Sequence, residues 1–262
     1  MSGTTFFSHR HIIKGSSSAL PFVSLNEHLC MEVVRHIMPA AHTQVSSDGQ
    51  VLVVDRFDVD HEGRPHWGME DFCVLLGLRP TAKYDTTWER IARAVRDLAP
   101  MQNRKPIYRE MTSLLLLTYA LRNADCHAKN IALRYSTHAD VHLAPAYDML
   151  TTAAYDEYAK SAPAISFMGK KTWHPGKNLP KFIAGTFFVP FREQVEIVES
   201  IAKALADVAP RVRQAMEQHP GFYAIGKRML LCWSEGITSL FDERSYGLGR
   251  PDLGAAFDGL VD

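Results

Sequence analysis

Between positions 123 and 148 the sequence gathers residues whose types and spacing suit phosphoryl transfer. The segment Asn123-Ala124-Asp125-Cys126-His127-Ala128-Lys129-Asn130 carries a D-x-x-x-x-N spacing, and a second carboxylate, Asp148, follows eighteen residues after Asn130. Phosphoryl transfer needs one carboxylate to orient and deprotonate the attacking hydroxyl, and oxygen ligands to hold Mg²⁺ against nucleotide phosphates. Mg²⁺ takes hard oxygen donors and keeps several waters, so one Asn, one Asp and phosphate oxygens suffice. The spacing alone is a weak signal, because Asp125 also suits a turn after a helix.

The flanking elements give the pattern its context. Tyr108 to Arg122 reads as a long buried helix. Ile131–Tyr135 and Val141–Leu143 read as two strands joined by residues 136–140. A loop between that helix and that hairpin sets Asp125 and Asn130 together, with Asp148 at the hairpin's end; protein kinases order these groups the same way. Upstream, His11-Ile12-Ile13-Lys14 reads as a strand. Leu25, Leu29, Val33 and Ile37 recur at helical spacing, with Ser24 and Glu27 in a capping-box pattern. Val51 to Val54 reads as a buried strand after a turn at Ser46 to Gly49. Further helices are expected at Met69–Leu76, Thr87–Leu98, Phe191–Ala206, Ala209–Gln218 and Phe222–Phe241.

Composition narrows the setting. The 262 residues are 46% hydrophobic, with 29 Lys+Arg against 29 Asp+Glu, so a real core is affordable and the net charge is zero. That balance argues against a strongly basic nucleic-acid binder. Cys30, Cys73, Cys126 and Cys232 form no CxxC pair, which fits neither a zinc knuckle nor a disulfide framework and suits a reducing cytoplasm. No signal-peptide stretch and no apolar run long enough for a membrane span is seen. Lys170, Lys171, Lys177 and Lys181 around Trp173 read first as a solvated loop.

Taken in order, the motifs resemble one family. NADCHAKNIALRY followed by LAPAYDMLTT resembles the catalytic core of the HipA-like serine/threonine kinases, the toxins of bacterial toxin–antitoxin pairs. HIIK resembles that family's nucleotide-lysine strand, NEHLCMEVVRHI its next helix, VLVVDRFD its hinge strand, and MEDFCVLLGLRPTAKYD a family-specific segment. The resemblance spans about residues 10–240. It implies an α+β, protein-kinase-like fold in three parts. These are a small lobe over residues 1–60, a mostly helical large lobe over 61–240, and a flexible tail over 241–262. It implies ATP and Mg²⁺ as cofactors, Asp125 as the catalytic residue, and Asn130 and Asp148 as metal ligands. Lys14 is implied at the phosphates, Asp55 and Phe57 at the adenine, Glu27 as partner of Lys14, and His127 and Lys129 around the nucleotide. The implied partners are a protein substrate of the aminoacyl-tRNA synthetase or translation-factor class and a helix-turn-helix antitoxin. DNA would be met only through that antitoxin, and no membrane is involved.

One departure qualifies the resemblance. Only thirteen residues precede Lys14, and no G-x-G-x-x-G loop occurs. The small lobe is therefore expected to be truncated, with Gly15 and Ser16 to Ser18 as substitute donors and a second chain as completion. The alternative is a weak or inactive pseudokinase that senses nucleotide or scaffolds an antitoxin. An aminoglycoside-kinase type of phosphotransferase fits the family-specific segments less well. A metal hydrolase on His127, His138 and His142 is weaker still, because the last two fall in a hairpin.

Overall fold

A computed structural model describes residues 5–260. Its elements in chain order are β1 (Thr5–Phe7), β2 (His11–Gly15), α1 (Val23–Arg35), β3 (Thr43–Val45), β4 (Val51–Asp55), β5 (Gly68–Asp71) and α2 (Phe72–Leu75). Then come α3 (Trp88–Leu98), α4 (Met101–Ala120), β6 (Ala132–Thr137), β7 (Asp140–Leu143), α5 (Asn178–Phe182), α6 (Phe191–Gln218) and α7 (Tyr223–Phe241).

The first sheet is antiparallel in the order β1-β2-β4-β3. Directly paired residues share a face. Lys14 pairs with Leu52 and Ile12 with Val54, and both β4 residues are buried. Register therefore puts Lys14 on the covered face of the sheet. α1 lies against that face through Leu25 and Leu29, and an ion pair between Glu32 and Arg211 ties it to α6. β1 and β3, the two edges, add to the strand-helix-strand order read from the sequence. Phe6 and Phe7 leave β1 with its aromatic rings exposed.

The helical part is built around α4, whose residues Leu114 to Leu117 are buried on all sides. α7 crosses it closely at Gly236, where a Cβ would come within 2.3 Å of the Ala120 carbonyl oxygen. The second sheet, β5-β6-β7, lies beside α4, and its middle strand β6 follows the loop that carries Asp125 and Asn130. Among the described residues no helix is long and apolar enough to cross a membrane.

Four expectations are corrected. The capping box does not form: Phe22, at φ 54°, takes the N-cap position without a side-chain bond, and Ser24 lies inside α1. Ser24 Oγ instead donates to the Gln50 carbonyl at 2.9 Å, and the Lys14 ammonium draws Glu27 away from the backbone. A charge-assisted bond outcompetes a neutral cap. Met69–Leu76 is not one helix, because the open edge of β6 captures residues 68–71 as β5. Asp71 then caps a single turn through the Val74 amide at 2.9 Å. Phe191 to Gln218 is one helix of 28 residues with Pro210 inside it. Proline removes one backbone bond, and continued burial of Val208, Ala209 and Val212 carries the helix past it. The stretch after α7, read as a flexible tail, packs along α6: Arg213 donates to the Ala256 and Asp258 carbonyls at 2.8 and 2.7 Å, and Tyr246 and Leu253 are buried.

Candidate active site

Lys14 is the hub of a three-residue charge cluster. Its Nζ lies 2.8 Å and 3.1 Å from the two Glu27 carboxylate oxygens and 2.6 Å from Asp148 Oδ1. Strand register supplies the lysine and the first turns of α1 supply the glutamate. Asp148 arrives from a third direction. The segment after β7 is stitched to the segment after α1, with Ala146 N donating to the Pro39 carbonyl and Ala41 N to that of Ala146. Asp148 then turns into the left-handed region at φ 58°, a conformation that Asp tolerates better than most residues.

Burial opposes every charge in this cluster. It pushes Glu27 up to about 7 against the pull of Lys14. Burial also disfavours the Lys14 ammonium, yet the two carboxylates together hold it protonated well above its ordinary range. Burial would raise Asp148, and the Lys14 ammonium reverses that and keeps it below the usual carboxylate value. The ionised cluster carries two negative groups on one positive one, a balance that favours an additional cation.

The loop that carries Asp125 and Asn130 is braced on both sides. Asn123 Oδ1 accepts from Asp125 N at 3.0 Å, and Asn130 Nδ2 donates to the Asp125 carbonyl at 2.9 Å. Thr152 Oγ1 accepts from Ala124 N at 2.7 Å and donates to the Arg122 carbonyl at 3.0 Å. The loop is thus locked to the chain that follows Asp148. The Tyr84 hydroxyl donates to Asp125 Oδ1. His127, buried behind the aspartate, has its Nε2 3.9 Å from that oxygen.

Two cavities meet at Lys14, Glu27 and Asp148. The larger, about 600 Å³, is walled by Ile12, Val54, Phe57, Met69 and Tyr147. The smaller, about 190 Å³, is lined also by Gly15, Ser17, Ser24 and Asp125. An apolar slot that ends in a few convergent charged groups is the usual form of a small-molecule site.

The structure thus brings Lys14, Glu27, Asp125 and Asp148 together, with Asp55 and Phe57 at the rim of the larger cavity. The Asp55 carboxylate is engaged by His42 at 3.0 Å and His11 at 3.5 Å. Asn130 and His127 line neither cavity and face Asp125 from behind. Lys129 is exposed and meets the site only through its carbonyl, which accepts from Tyr147 Oη at 2.7 Å. Gly15 and Ser17 do reach the smaller cavity, while Ser16 Oγ is bonded to Ser24. Of the residues that reasoning from sequence left out, Tyr84 and Tyr147 matter most. The KYD and AYD triplets that contain them gave no sign that either tyrosine would touch the loop of Asp125 to Asn130.

By chemistry, Asp148 and Asn130 offer the oxygen donors that a hard divalent cation takes, with Asp148 alone of the two lining the cavities. Among the described residues no group of three or more His, Cys, Asp or Glu could hold a metal unaided. An Asp148 carboxylate and an Asn130 amide oxygen would therefore need nucleotide phosphate oxygens to complete a Mg²⁺ shell. His142, one of the three histidines weighed for a metal hydrolase, is bonded to Asp140 at 2.6 Å and packs edge-on to Trp67.

Comparisons with known proteins agree with this geometry. Residues 5–218 match the model of the HipA-like C-terminal domain. Protein Y4dM of Sinorhizobium fredii, provisionally described as a kinase, is 33% identical over 124 residues, which are 47% of this chain and 29% of that protein. A Haemophilus influenzae protein with the same provisional description is 25% identical over 239 residues, 82% of this chain and 67% of that one. This chain thus spans well under half of the first relative and about two thirds of the second. Among solved structures, a chain of the Shewanella oneidensis HipA–HipB–operator DNA complex superposes with TM-score 0.66 at 17% identity, covering 90% of this chain and 58% of its own. The Helicobacter pylori proinflammatory kinase CtkA gives 0.61 at 12% identity, covering 93% and 90%. The fold is therefore kinase-like, and the chain belongs to the HipA-like C-terminal domain family.

Proposed function

We propose that this chain transfers the γ-phosphoryl group of ATP to a serine or threonine hydroxyl of a protein, with Mg²⁺. The observation that carries this reading is the meeting of two cavities on Lys14, Glu27 and Asp148, with Asp125 facing the smaller one. The apolar larger cavity takes the adenine between Ile12, Val54, Phe57 and Met69. Lys14, held by Glu27, directs its ammonium at the phosphates, and Gly15 and Ser17 add polar groups on the same side. Asp125 receives the acceptor's hydroxyl proton. Asp148 and the Asn130 amide oxygen would hold the metal. Asn130 spends its amide nitrogen on the Asp125 carbonyl, which fixes that oxygen's direction. When bound, the metal would supply positive charge against the charge that develops on the phosphates.

The assembly of the Shewanella neighbour with HipB and operator DNA supports an antitoxin-type partner for this chain. The outer edge of β1, with Phe6 and Phe7 63% and 74% exposed, is the surface that a chain completing the small sheet would cover. Labelled ATP with Mg²⁺, followed by phosphoamino-acid analysis, tests the activity. Label on serine or threonine that disappears without Mg²⁺ and in Asp148→Asn supports it. Calorimetric binding of ATP with no transfer to any acceptor favours a nucleotide sensor instead.

A further inference from the structure

Three segments of the chain meet at Tyr84, whose hydroxyl donates to Asp125 Oδ1. The first is its own loop, residues 79–87. The second is residues 124–131, where Ala128 N donates to the Lys83 carbonyl at 3.1 Å. The third is residues 166–174. Its Ser166 carbonyl accepts from Trp88 N at 3.0 Å, and its Lys171 Nζ donates to the Tyr84 carbonyl at 3.4 Å. Together they carry Arg79, Lys83, Lys129, Lys170 and Lys171, and besides Asp125 the only carboxylate among them is Asp85. On a chain of zero net charge this is a local positive excess. Lys83 Nζ lies 5.0 Å from the Tyr84 ring centroid, so two ammonium groups stand at one tyrosine. Lys129, Lys170 and Lys171 are exposed and Lys83 is half-buried. Among the described residues no carboxylate makes an ion pair with any of these four lysines. The turn before Lys170 is unusual as well. Phe167 and Lys170 exchange two backbone bonds, at 3.2 and 3.0 Å, around Met168 and Gly169. Gly169 takes φ 71° with ease, whereas Met168 at φ 47° adopts a conformation rare for its type. Glu89 Oε1 accepts from the Met168 amide at 2.6 Å and so is spent on the turn, while the Met168 side chain is 53% exposed. Strain of this kind persists where surrounding structure imposes it, and it gathers at segments that contact ligands.

We propose that the acceptor is an acidic segment of a protein: carboxylates flanking its hydroxyl pair with Lys83 and Lys171, Lys129 and Lys170 draw it in, and Met168 gives its apolar side chains a surface. This rests on the kinase reading above and names the substrate class for it. The transfer step is unchanged: the acceptor oxygen bonds to the γ-phosphorus, the bond to the bridging oxygen breaks and ADP leaves, and the hydroxyl proton passes to Asp125. The lysines decide which segment reaches that point. Any acceptor has to approach the Asp125 carboxylate and the phosphates of a bound nucleotide, and an acidic one would be repelled by both. An excess of ammonium groups on the same side offsets that repulsion and steers the encounter. A basic acceptor would instead meet several like charges, which disfavours it. An ammonium has three donors, and Lys171 spends one on the Tyr84 carbonyl, so it keeps others for a carboxylate. The exposed methionine suits the mixed side chains of a polypeptide, whereas a nucleic-acid backbone is bound through polar and basic groups throughout.

The test uses the full chain with Mg²⁺, γ-labelled ATP and two serine peptides of equal length. In one the serine is flanked on both sides by glutamates, and in the other by glutamines. Several exposed ion pairs together correspond to about 5- to 30-fold in kcat/KM, and the glutamate peptide is expected to lead by that much. High salt should shrink the lead, since these charges face solvent. In the double variant Lys83→Glu with Lys171→Glu the lead should vanish, while the rate with the glutamine peptide, which shows that the variant is folded, stays near wild type. Lys203→Glu, an exposed change on α6, should keep the full lead. Equal kcat/KM for the two peptides in wild type overturns the inference and leaves the kinase reading standing. So does a lead that survives the double variant. A single-stranded oligonucleotide that binds more tightly than the glutamate peptide, and is lost in the same double variant, assigns the lysines to nucleic acid and overturns it too. No transfer to either peptide or to the chain itself, with ATP bound, sinks the kinase reading and this inference with it.

Discussion

Removing the Lys14 charge should expose how strongly the cluster at the cleft floor depends on it. In Lys14→Met the methionine keeps the length and apolar stem, so the change is mainly electrostatic. Two carboxylates at 2.8 and 2.6 Å lose their counter-charge. At an effective dielectric of 20, each attraction is worth about 6 kcal/mol before desolvation is subtracted. Cutting one partner out of a buried pair typically costs about 3–5 kcal/mol net. Lys14 and Asp148 keep 26% and 32% of their side-chain surface, so solvent screening puts the loss at the lower end, about 3 kcal/mol. For a chain of this size that lowers Tm by about 6–12 °C. The loss also depends on pH. Glu27 already sits above its unfolded value at about 7, so its contribution is present below 4.5 and lost as pH rises toward 7. Without Lys14 its folded value climbs further, and the stability difference between wild type and variant widens above pH 7. Urea unfolding of wild type, Lys14→Met, Glu27→Gln and the double variant at pH 5.5 and 8.5 measures both effects. In the Glu27→Gln background, Lys14→Met should cost less, since only Asp148 is left unpaired. A loss under about 1 kcal/mol, or one equal at both pH values, would refute the reasoning.

Three further outcomes follow from other contacts. Burial holds His127 below its ordinary 6.5, with Asp125 pulling the other way; a depressed folded value means stability present above 6.5 and lost as pH falls below it, so Tm should drop toward pH 5 less in His127→Gln than in wild type. Thr152→Val strands the Ala124 amide and the Arg122 carbonyl, at about 1–3 kcal/mol, and hydrogen exchange should show the Ala124 amide losing protection. Gly236→Ala forces a methyl against the Ala120 and Tyr119 carbonyls at 2.3 and 2.6 Å, costing about 1–3 kcal/mol or more. Gly185→Ala, which meets nothing within 4 Å, should be neutral or slightly stabilising when both are followed by thermal unfolding.

Much of the site is local in sequence and was legible there. The D-x-x-x-x-N spacing lies in one loop and Asp148 follows it closely, so these stand out from the residues alone, whereas Lys14 and Glu27 are named only through the resemblance of HIIK and NEHLCMEVVRHI to segments of the HipA-like family. The misreadings share a physical cause, which is that a tertiary partner overrode a local signal. The capping box of Ser24 and Glu27 yielded to a lysine thirteen residues upstream of Glu27. Residues 68–71 joined a strand edge more than sixty residues downstream. The expected break between Ala206 and Ala209 does not occur, because burial of Val208, Ala209 and Val212 carries α6 through it and past Pro210. Tyr84 was invisible as a site residue because its bond to Asp125 spans 41 positions. Nothing in a lysine-tyrosine-aspartate triplet specifies that distance.

The central claim is that Asp125 acts on an acceptor hydroxyl while Lys14 and Asp148 hold the nucleotide side of the same space. Its most direct test is the rate of γ-phosphoryl transfer in Asp125→Asn, measured beside ATP affinity in the presence of Mg²⁺. The account predicts affinity within about twofold of wild type and transfer reduced by about 100-fold or more, the scale of losing a general base. Transfer at the wild-type rate in Asp125→Asn, with the variant folded and binding ATP, would contradict it.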